Sequence, residues 1–524
     1  MSPLQTNLSC GTSFDFDELQ WVANIRRTIE ADQLEDDSEI SGCIFSVPKP
    51  LMSNHPDSYT PHQLSLGPYH YSRLELHEMD RYKLSAAKRC QKLLQGLKFQ
   101  DLVEQLMKLE FKIRACYSKY LNINGQTLAW MMAIDASFLI EYLQVSALSD
   151  PEMLSKVPSG MSHLFDYFRR KSIHDAILRD IVMLENQIPL FILRKVLEFQ
   201  LLSLESAEEM LYSMLRGSCK ELSPFKTVVS SSGVKVSDHA HLLDFLYNII
   251  VPKVEESLEI PEEVKDDSKA SQDNEESSIG PANFLNKLLK SAPFEVIIKL
   301  PWKIFLNLLG FGTVNQPNAS SESQSVGSSF HQPQLVEEII IPSVSQLSKC
   351  GVRFVPTNGS ISTINFNKKT CTFYLPRISL DVNSDVVLRN LVAYEASNSS
   401  GPMVFTRYTE LMNGIIDSAE DAKMLREKGI ILSHSTNDEE VANMWNGMSR
   451  CIRLTKVPFL DKVIQDVNKY HDGQFKVKVE KFMKLYVFGS WKFLTLVAAI
   501  LLLLITSLQA FCSVYDCVHL FHFQ

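Results

Sequence analysis

The chain has 524 residues, 45% of them hydrophobic and 22% charged, enough for roughly two to four domains with sizeable cores. A net charge of −9 and the lack of a basic face exclude a nucleic-acid binder. The opening MSPLQTNLSCGTSFDFDEL has neither a basic n-region nor an apolar h-region, so it is not a secretory signal.

Residues 1–43 are polar and acidic and read as a loosely held arm, with a short helical pattern at Leu19, Val22, Ile25 and Ile29. Next come IFSVPKPL from Ile44 and YTPHQLSLGPYHY from Tyr59, punctuated by Pro48, Pro50, Pro56, Pro61 and Pro68. Proline fixes its own φ and biases its predecessor to extended backbone, so this segment runs extended, with a turn at Gly67-Pro68. His62 and His70 have no carboxylate or thiol at metal-site spacing and read as structural.

From Met79 to about Tyr120 the pattern is helical and heavily charged, and Thr127 to Gln144 forms an apolar helix carrying Asp135 and Glu141. Two carboxylates in such a helix raise acid–base chemistry. Their spacing puts them on different faces, however, and satisfaction by neighbouring helices is the simpler reading. In RDIVMLENQIPLFILRKVLEF, Arg179 to Phe199, a helical stripe runs through Ile181, Leu184, Ile188 and Phe191. Pro189 cannot donate to the carbonyl of Glu185, so the helix kinks or restarts there. Glu185-Asn186-Gln187 then reads as a polar knot that serves freed backbone groups and fixes how two helix segments pack; a catalytic Glu185 is the competing reading. A helix in HAHLLDFLYNIIV from His239 closes an N-terminal helical half, 44–252, with His239 and His241 expected to diverge.

Residues 253–334 read as a variable insert. Lys253 to Gly280 holds ten acidic residues against three lysines, the composition of a disordered linker, and Thr313 to Gln334 is a Ser/Gln/Asn-rich linker. Between them, 281–311 is amphipathic and Trp-bearing: an interfacial helix on an anionic membrane, an ordinary core helix, or a docking helix. Residues 335–475 begin with β alternation in GVRFVPTNGSISTINFN and KKTCTFYLPRISLD. Asn358-Gly359 is a two-residue hairpin signal, predicting an antiparallel meander over about 350–381. Helices resume in NLVAYEAS and VFTRYTELMNGII. In DSAEDAKMLREKGII Asp417 is the expected N-cap, with Glu420 three residues on and Gly429 at the stop; Asn437 and Glu440 repeat the box.

Phe493 to Tyr515 carries no charge over 23 residues, enough to cross a hydrocarbon core of roughly 30 Å. Its N-terminal shoulder, 476–492, holds Lys476, Lys478, Lys481, Lys484 and Lys492, whereas the tail, 516–524, has Asp516 and no Lys or Arg. The positive-inside bias therefore predicts a single-pass, tail-anchored protein with its bulk in the cytosol. Ten cysteines are scattered without a C-x-x-C pair and read as reduced thiols, Cys512 and Cys517 lying at the distal membrane edge. The sequons at Asn7, Asn318, Asn358 and Asn398 would not meet the glycosylation machinery in the cytosol. The fold class expected is mainly α: a helical body, a small antiparallel meander and one C-terminal transmembrane helix.

The order SLGPYHY, IDASFLIEYL, DIVMLENQIPLFIL, NLVAYEAS, KGIIL…DEEVANMWNGM and a C-terminal span resembles the plant family called domain of unknown function 247, or uncharacterised protein family 0481. The resemblance covers roughly residues 44–515, with SLGPYH and LENQIP its specific elements. This chain departs from the family at Ala136-Ser137 (usually Gly-Cys), Ala396-Ser397 (usually Gln-Cys) and Gly489-Ser490 (usually Asn-Pro). The resemblance implies a plant membrane protein without established enzymatic activity. Some grass relatives are implicated in pollen–stigma self-incompatibility, which implies recognition or signalling.

Two functions follow. The first is a membrane-tethered interaction protein, its C-terminal helix in the lipid bilayer and its body binding a protein partner. The second is a membrane-held enzyme using Asp135, Glu185 or Glu395, which a deep pocket joining two of them would favour. With no P-loop, G-x-S-x-G or H-E-x-x-H, no catalytic, cofactor or metal residues are assigned.

Overall fold

The computed structural model describes residues 42–94, 96–147, 171–225, 235–252, 339–398, 401–433, 437–448, 454–474 and 491–514, with a few isolated positions besides. Residues 1–253 and 333–524 form one compact unit and 254–332 another. The N-terminal arm, the insert with its 281–311 stretch, most of the basic shoulder and the tail lie outside the described residues.

The described body is mainly helical. Its N-terminal part holds α1 (Lys49–Asn54), α2 (Asp80–Leu93), α3 (Phe99–Lys108), α4 (Glu110–Ala115), α5 (Gly125–Ser146), α6 (Lys171–Ile181), α7 (Leu190–Leu201), α8 (Leu204–Leu222) and α9 (Leu242–Ile250). α5 starts where the Asn124 side chain accepts the Gln126 N–H, relieving one of the unpaired amides of a helix start. Its buried residues include Leu128, Ala129, Ala133, Ser137, Phe138 and Tyr142, on every side of the helix, as a central helix requires. α2, α3, α7 and α8 pack around it. Long and apolar enough to cross a membrane, it is 72% buried in the body and is a core helix.

At Pro189 the chain restarts instead of kinking. α6 ends at Ile181, and Pro189, with φ −58°, stands as the N-cap of α7. There the missing N–H costs nothing.

The C-terminal part holds α10 (Val344–Lys349), β1 (Arg353–Thr357), β2 (Asn365–Asn367), β3 (Thr372–Pro376), β4 (Ile378–Leu380), α11 (Ser384–Asn398), α12 (Val404–Ile415), α13 (Ala419–Glu427), β5 (Ile431–Ser433), α14 (Asp438–Trp445), α15 (Pro458–Gly473) and α16 (Trp491–Val514). The expected antiparallel meander does not form. The three-stranded sheet has the order β1-β3-β2. β1 runs parallel to β3, Phe354 opposite Phe373, and β2 runs antiparallel to it, Phe366 opposite the same Phe373. A second, two-stranded sheet pairs β4 with β5 in parallel.

The hairpin signal fails for a backbone reason. A two-residue type I′ loop needs positive φ at both central residues, and neither Asn358 nor Gly359 has it. The chain instead makes a 3-10 turn over Ile361–Thr363, burying Ile361, and emerges on the far side of β3. Phe373 gains by this, with ring contacts at 5.9 Å to Phe354 and 6.1 Å to Phe366.

The helix punctuation holds with one shift of register. Ser418 and Asp421, not Asp417 and Glu420, make the capping box of α13. Asn437 and Glu440 cap α14, and Gly429 stops α13 at φ +71°. α16 has 24 residues, and within it the described apolar stretch is Val497–Ala510. Ile500, Leu501, Leu502, Leu503, Leu504 and Ile505 are all exposed, Leu503 by 68%.

Candidate functional site

The residues singled out from the sequence gather where the proline-rich strap, Ile44 to Gly67, crosses the break between α6 and α7. Against the expectation from its prolines, the strap does not run extended throughout: Pro50 and Pro56 stand in the first turns of α1 and of a 3-10 helix over Pro56–Ser58, where a missing N–H is tolerated. The remaining backbone, in neither helix nor sheet, must find partners for its N–H groups. Asp180, fully buried near the end of α6, supplies three: its Oδ2 accepts from His62 (3.0 Å), Gln63 (2.6 Å) and Leu64 (2.9 Å). The polar triplet continues the work. Asn186 Oδ1 accepts the Leu66 N–H at 2.6 Å, while its Nδ2 donates to the carbonyls of Leu64 and Asp180, both at 2.8 Å. Gln187 Nε2 donates to the carbonyls of Ile181 (2.7 Å) and Met183 (2.8 Å), left over where α6 stops. Its Oε1 accepts the Leu243 N–H in the first turn of α9 at 3.2 Å.

Glu185 faces the start of the strap. Oε1 accepts the Val47 N–H at 2.9 Å and the Lys119 ammonium at 3.2 Å, and Oε2 lies 3.7 Å from His70 Nε2. Burial, with the charges of Arg73 and Lys119, pushes the His70 imidazole down to about 4, so it stays neutral at physiological pH.

Asp135 reaches the other end of the strap. Its Oδ2 accepts the Gly67 N–H at 2.9 Å, and Oδ1 pairs with Lys83 at 2.8 Å. Burial raises its carboxyl above the usual range, opposed by the Lys83 ammonium and the Gly67 N–H. Gly67 has φ +67°, and a Cβ there would lie 2.9 Å from Tyr117 Oη and 3.0 Å from the Gln187 carbonyl. Glycine is required on both counts. Glu141, the other carboxylate of α5, takes Arg89 of α2 at 2.8 Å.

Glu395 belongs to a separate cluster between α9, α11 and α12. It accepts from Tyr247 Oη (2.5 Å), the N–H groups of Phe405 (2.9 Å) and Thr406 (2.6 Å), and Thr406 Oγ1 (2.7 Å). Burial raises its carboxyl despite these bonds. Beside it Asp244 accepts from the Ala240 N–H (2.7 Å), Tyr394 Oη (2.8 Å) and Asn248 Nδ2 (2.6 Å). His239 and His241, expected to diverge, both meet Asp244: His239 Nδ1 lies 3.7 Å from its carboxylate, and His241 Nδ1 accepts its N–H at 3.2 Å to cap α9.

The structure thus brings Asp135 and Glu185 to one strap and leaves Glu395 apart, each as an acceptor of hydrogen bonds from the protein's own groups. Two surface clefts contain none of the three. One, of about 320 Å³, is lined by Cys43, Lys112, Cys116, Arg194 and His239 among others; the second, of about 440 Å³, by Arg194, Glu208, Glu209, Tyr212 and Lys235. Among the described residues no group of three or more His, Cys, Asp or Glu is placed to hold a metal ion.

Sequence reasoning missed Asp180, Lys83, Lys119 and Asn390. Asn390 of α11 accepts the Leu184 N–H at 2.9 Å and donates to the Ser58 carbonyl at 2.8 Å, joining the C-terminal part to both break and strap. The available signal was polarity inside an apolar stripe, at Asp180 in RDIVML and Asn390 in LRNLVAY.

A family model, DUF247, described as a plant protein of unknown function, matches residues 44–505. The chain belongs to this family. A UPF0481 protein of Arabidopsis thaliana is 46% identical over 540 residues, spanning 98% of each chain. A second UPF0481 protein of that plant is 23% identical over 492 residues, spanning 91% of this chain and 87% of its own. No solved structure matches the chain. The DUF247 match includes the whole strap, the break and every fastening residue named above. The SLGPYH and LENQIP elements meet each other there: Leu66 bonds Asn186, and Gly67 lies against Gln187. The family carries no assigned enzymatic activity.

Proposed function

We propose that this DUF247 protein is a non-enzymatic interaction module held at a membrane by α16, its helical body presented to a protein partner on the cytosolic side. The observation that carries the reading is the exposure of α16. Its six consecutive apolar side chains from Ile500 to Ile505 are uncovered by the body, an arrangement that water disfavours at about 25 cal/mol per Å² and that hydrocarbon favours. At about 1.5 Å per residue its 24 residues run about 36 Å, long enough to cross the roughly 30 Å of a bilayer core. The lysines of 476–492 support a cytosolic body through the positive-inside bias. Asp135, Glu185 and Glu395 keep the body's shape and do not act on a substrate.

The test is alkaline carbonate extraction of native membranes, followed by protease treatment of sealed vesicles. The chain should stay in the pellet, and a protease outside cytosol-facing-out vesicles should remove the body and leave a short protected fragment. Release into the supernatant, or a protected body, would overturn the reading.

A further inference from the structure

The 320 Å³ cleft holds two thiols that take no part in fastening the strap. Cys43 opens the body and Cys116 follows the last residue of α4. Between them the chain makes a parallel bridge, Ile44 with Tyr117, through Ile44 N–H to the Cys116 carbonyl at 2.8 Å and Ser118 N–H to the Ile44 carbonyl at 3.0 Å. The Cys43 N–H also donates to the Cys116 carbonyl, at 3.0 Å. This register sets the two cysteines abreast. Backbones joined by such bonds lie close enough for the roughly 4.4–6.8 Å between Cα atoms that a disulfide spans. Cys43 Sγ donates to the Cys116 carbonyl at 3.6 Å, Cys116 Sγ donates to the Lys112 carbonyl at 3.3 Å, and both thiols line the one cleft.

We propose that Cys43 and Cys116 are a redox-active dithiol, a modification site at which a hydroperoxide converts the pair to a disulfide that staples the start of the strap to the end of α4.

The surroundings divide the labour. The neighbouring Cys43 thiol, and then the Lys112 ammonium, hold the Cys116 thiol below the usual range although burial opposes them. The neighbouring Cys116 thiol and burial push Cys43 well up. The thiolate is the attacking form, so Cys116 is the nucleophile and Cys43 the resolving thiol. Cys116 Sγ attacks one oxygen of hydrogen peroxide, the O–O bond breaks, and hydroxide leaves and is protonated to water. The product is a sulfenic acid at Cys116. Cys43 Sγ then displaces the hydroxyl from Cys116 Sγ, forming the S–S bond and, with the Cys43 proton, a second water. Two thiols have lost two electrons and one peroxide has gained them. A dithiol reductant reverses the change by exchange. The bond closes a loop across a separation of 73 residues, enclosing the strap, with α1 inside it, and α2 to α4. Cys90 and Cys219 are buried in the core away from this cleft and serve as internal references.

The full-length chain in native membranes is treated with one equivalent of hydrogen peroxide, alkylated with N-ethylmaleimide, digested and read by mass spectrometry. A dithiothreitol-sensitive peptide joining Cys43 to Cys116 should be the main oxidation product, while Cys90 and Cys219 stay reduced. In C43S, dimedone should trap a sulfenic acid at Cys116. In C116S, Cys43 should remain reduced, and K112M should slow the oxidation of Cys116 several-fold. The wild-type arm needs no variant to fold. Reduced Cys43 and Cys116 beside oxidised Cys350 or Cys371 would refute the site. Equal oxidation of Cys43 in C116S would refute the assigned roles.

Discussion

At the scale of single residues, the body is held by a few buried polar side chains, each serving several backbone groups. Asp180 is the extreme case, because one carboxylate oxygen holds three successive N–H groups. Asp180→Ala leaves them unpartnered, and each unsatisfied buried group costs about 1–3 kcal/mol. The variant should lose roughly 3–5 kcal/mol in urea unfolding of the solubilised chain, followed by tryptophan fluorescence. Asn186→Ala should couple with it by roughly 1 kcal/mol in a double-mutant cycle, since both side chains hold Leu64, one through its N–H and the other through its carbonyl; simple additivity would contradict the shared knot. Asp244 gives a pH-dependent case. Burial pushes its carboxyl up, but the His239 ring beside it, the nearby His241 ring and hydrogen bonds from Ala240 and Tyr394 outweigh it, and the net position is below the ordinary 3.8. A carboxyl depressed on folding contributes stability that is present above its unfolded value and is lost as pH falls through the folded one. The stability gap between the native chain and Asp244→Asn should therefore be constant from pH 7 to pH 5 and narrow below about 3.8. Asp135, Asp180 and Glu395 are shifted the other way, so comparison with the variant isolates the Asp244 contribution. A gap that widens in acid would show the carboxyl to be raised instead.

At the scale of elements, the strap and its turn decide where the N-terminal helices close. Gly67 combines left-handed backbone with a Cβ position wedged between Tyr117 Oη and the Gln187 carbonyl. Gly67→Ala should cost roughly 2–4 kcal/mol and expose the strap to limited proteolysis. Gly429→Ala, at φ +71° with nothing within 4 Å of the added carbon, should cost only about 1 kcal/mol, the conformational part alone. Equal costs would mean that the wedge at Gly67 relaxes freely. The helices themselves were legible in the sequence, because periodicity and capping are local: the all-round apolar α5, the Asn437–Glu440 box and the stop at Gly429 all lie within a few residues of their cause. The knot was legible in part. Pro189 announced a break and Glu185-Asn186-Gln187 announced partners for freed carbonyls, which Gln187 does serve at Ile181 and Met183. That the same triplet also ties the strap more than a hundred positions earlier is not periodic and leaves no local trace. The sheet failed for the same reason. Asn358-Gly359 is a local signal, while the sheet brings Phe354 of β1 and Phe366 of β2 from either side into ring contact with Phe373 of β3, a contact between residues distant in the chain.

At the scale of the whole molecule, residues far apart in sequence share one unit. Asn390 ties α11 to Ser58 and Leu184, His241 Nε2 lies 3.0 Å from the Cys43 carbonyl, and Asn383 donates to the Asp175 carbonyl at 2.7 Å. The described side chains of α16 from Val497 to Ala510 are instead all exposed, Leu502 and Leu504 by 65% and 58%. That contrast separates anchoring from folding in one experiment. Replacing both by arginine (L502R/L504R) adds about 2.5–3.5 kcal/mol per charge to insertion at a helix centre, roughly enough to reverse it. In water the same charges sit on an exposed helix and cost the body little. The double variant should leave the membrane pellet for the supernatant on carbonate extraction, while its urea midpoint, reported by the fully buried Trp445, stays at the native value. A variant that remains in the pellet would remove α16 from the anchoring account. One that leaves the pellet with a lowered midpoint would show that α16 is packed on the body, and that its exposed leucines are covered by protein in place of lipid.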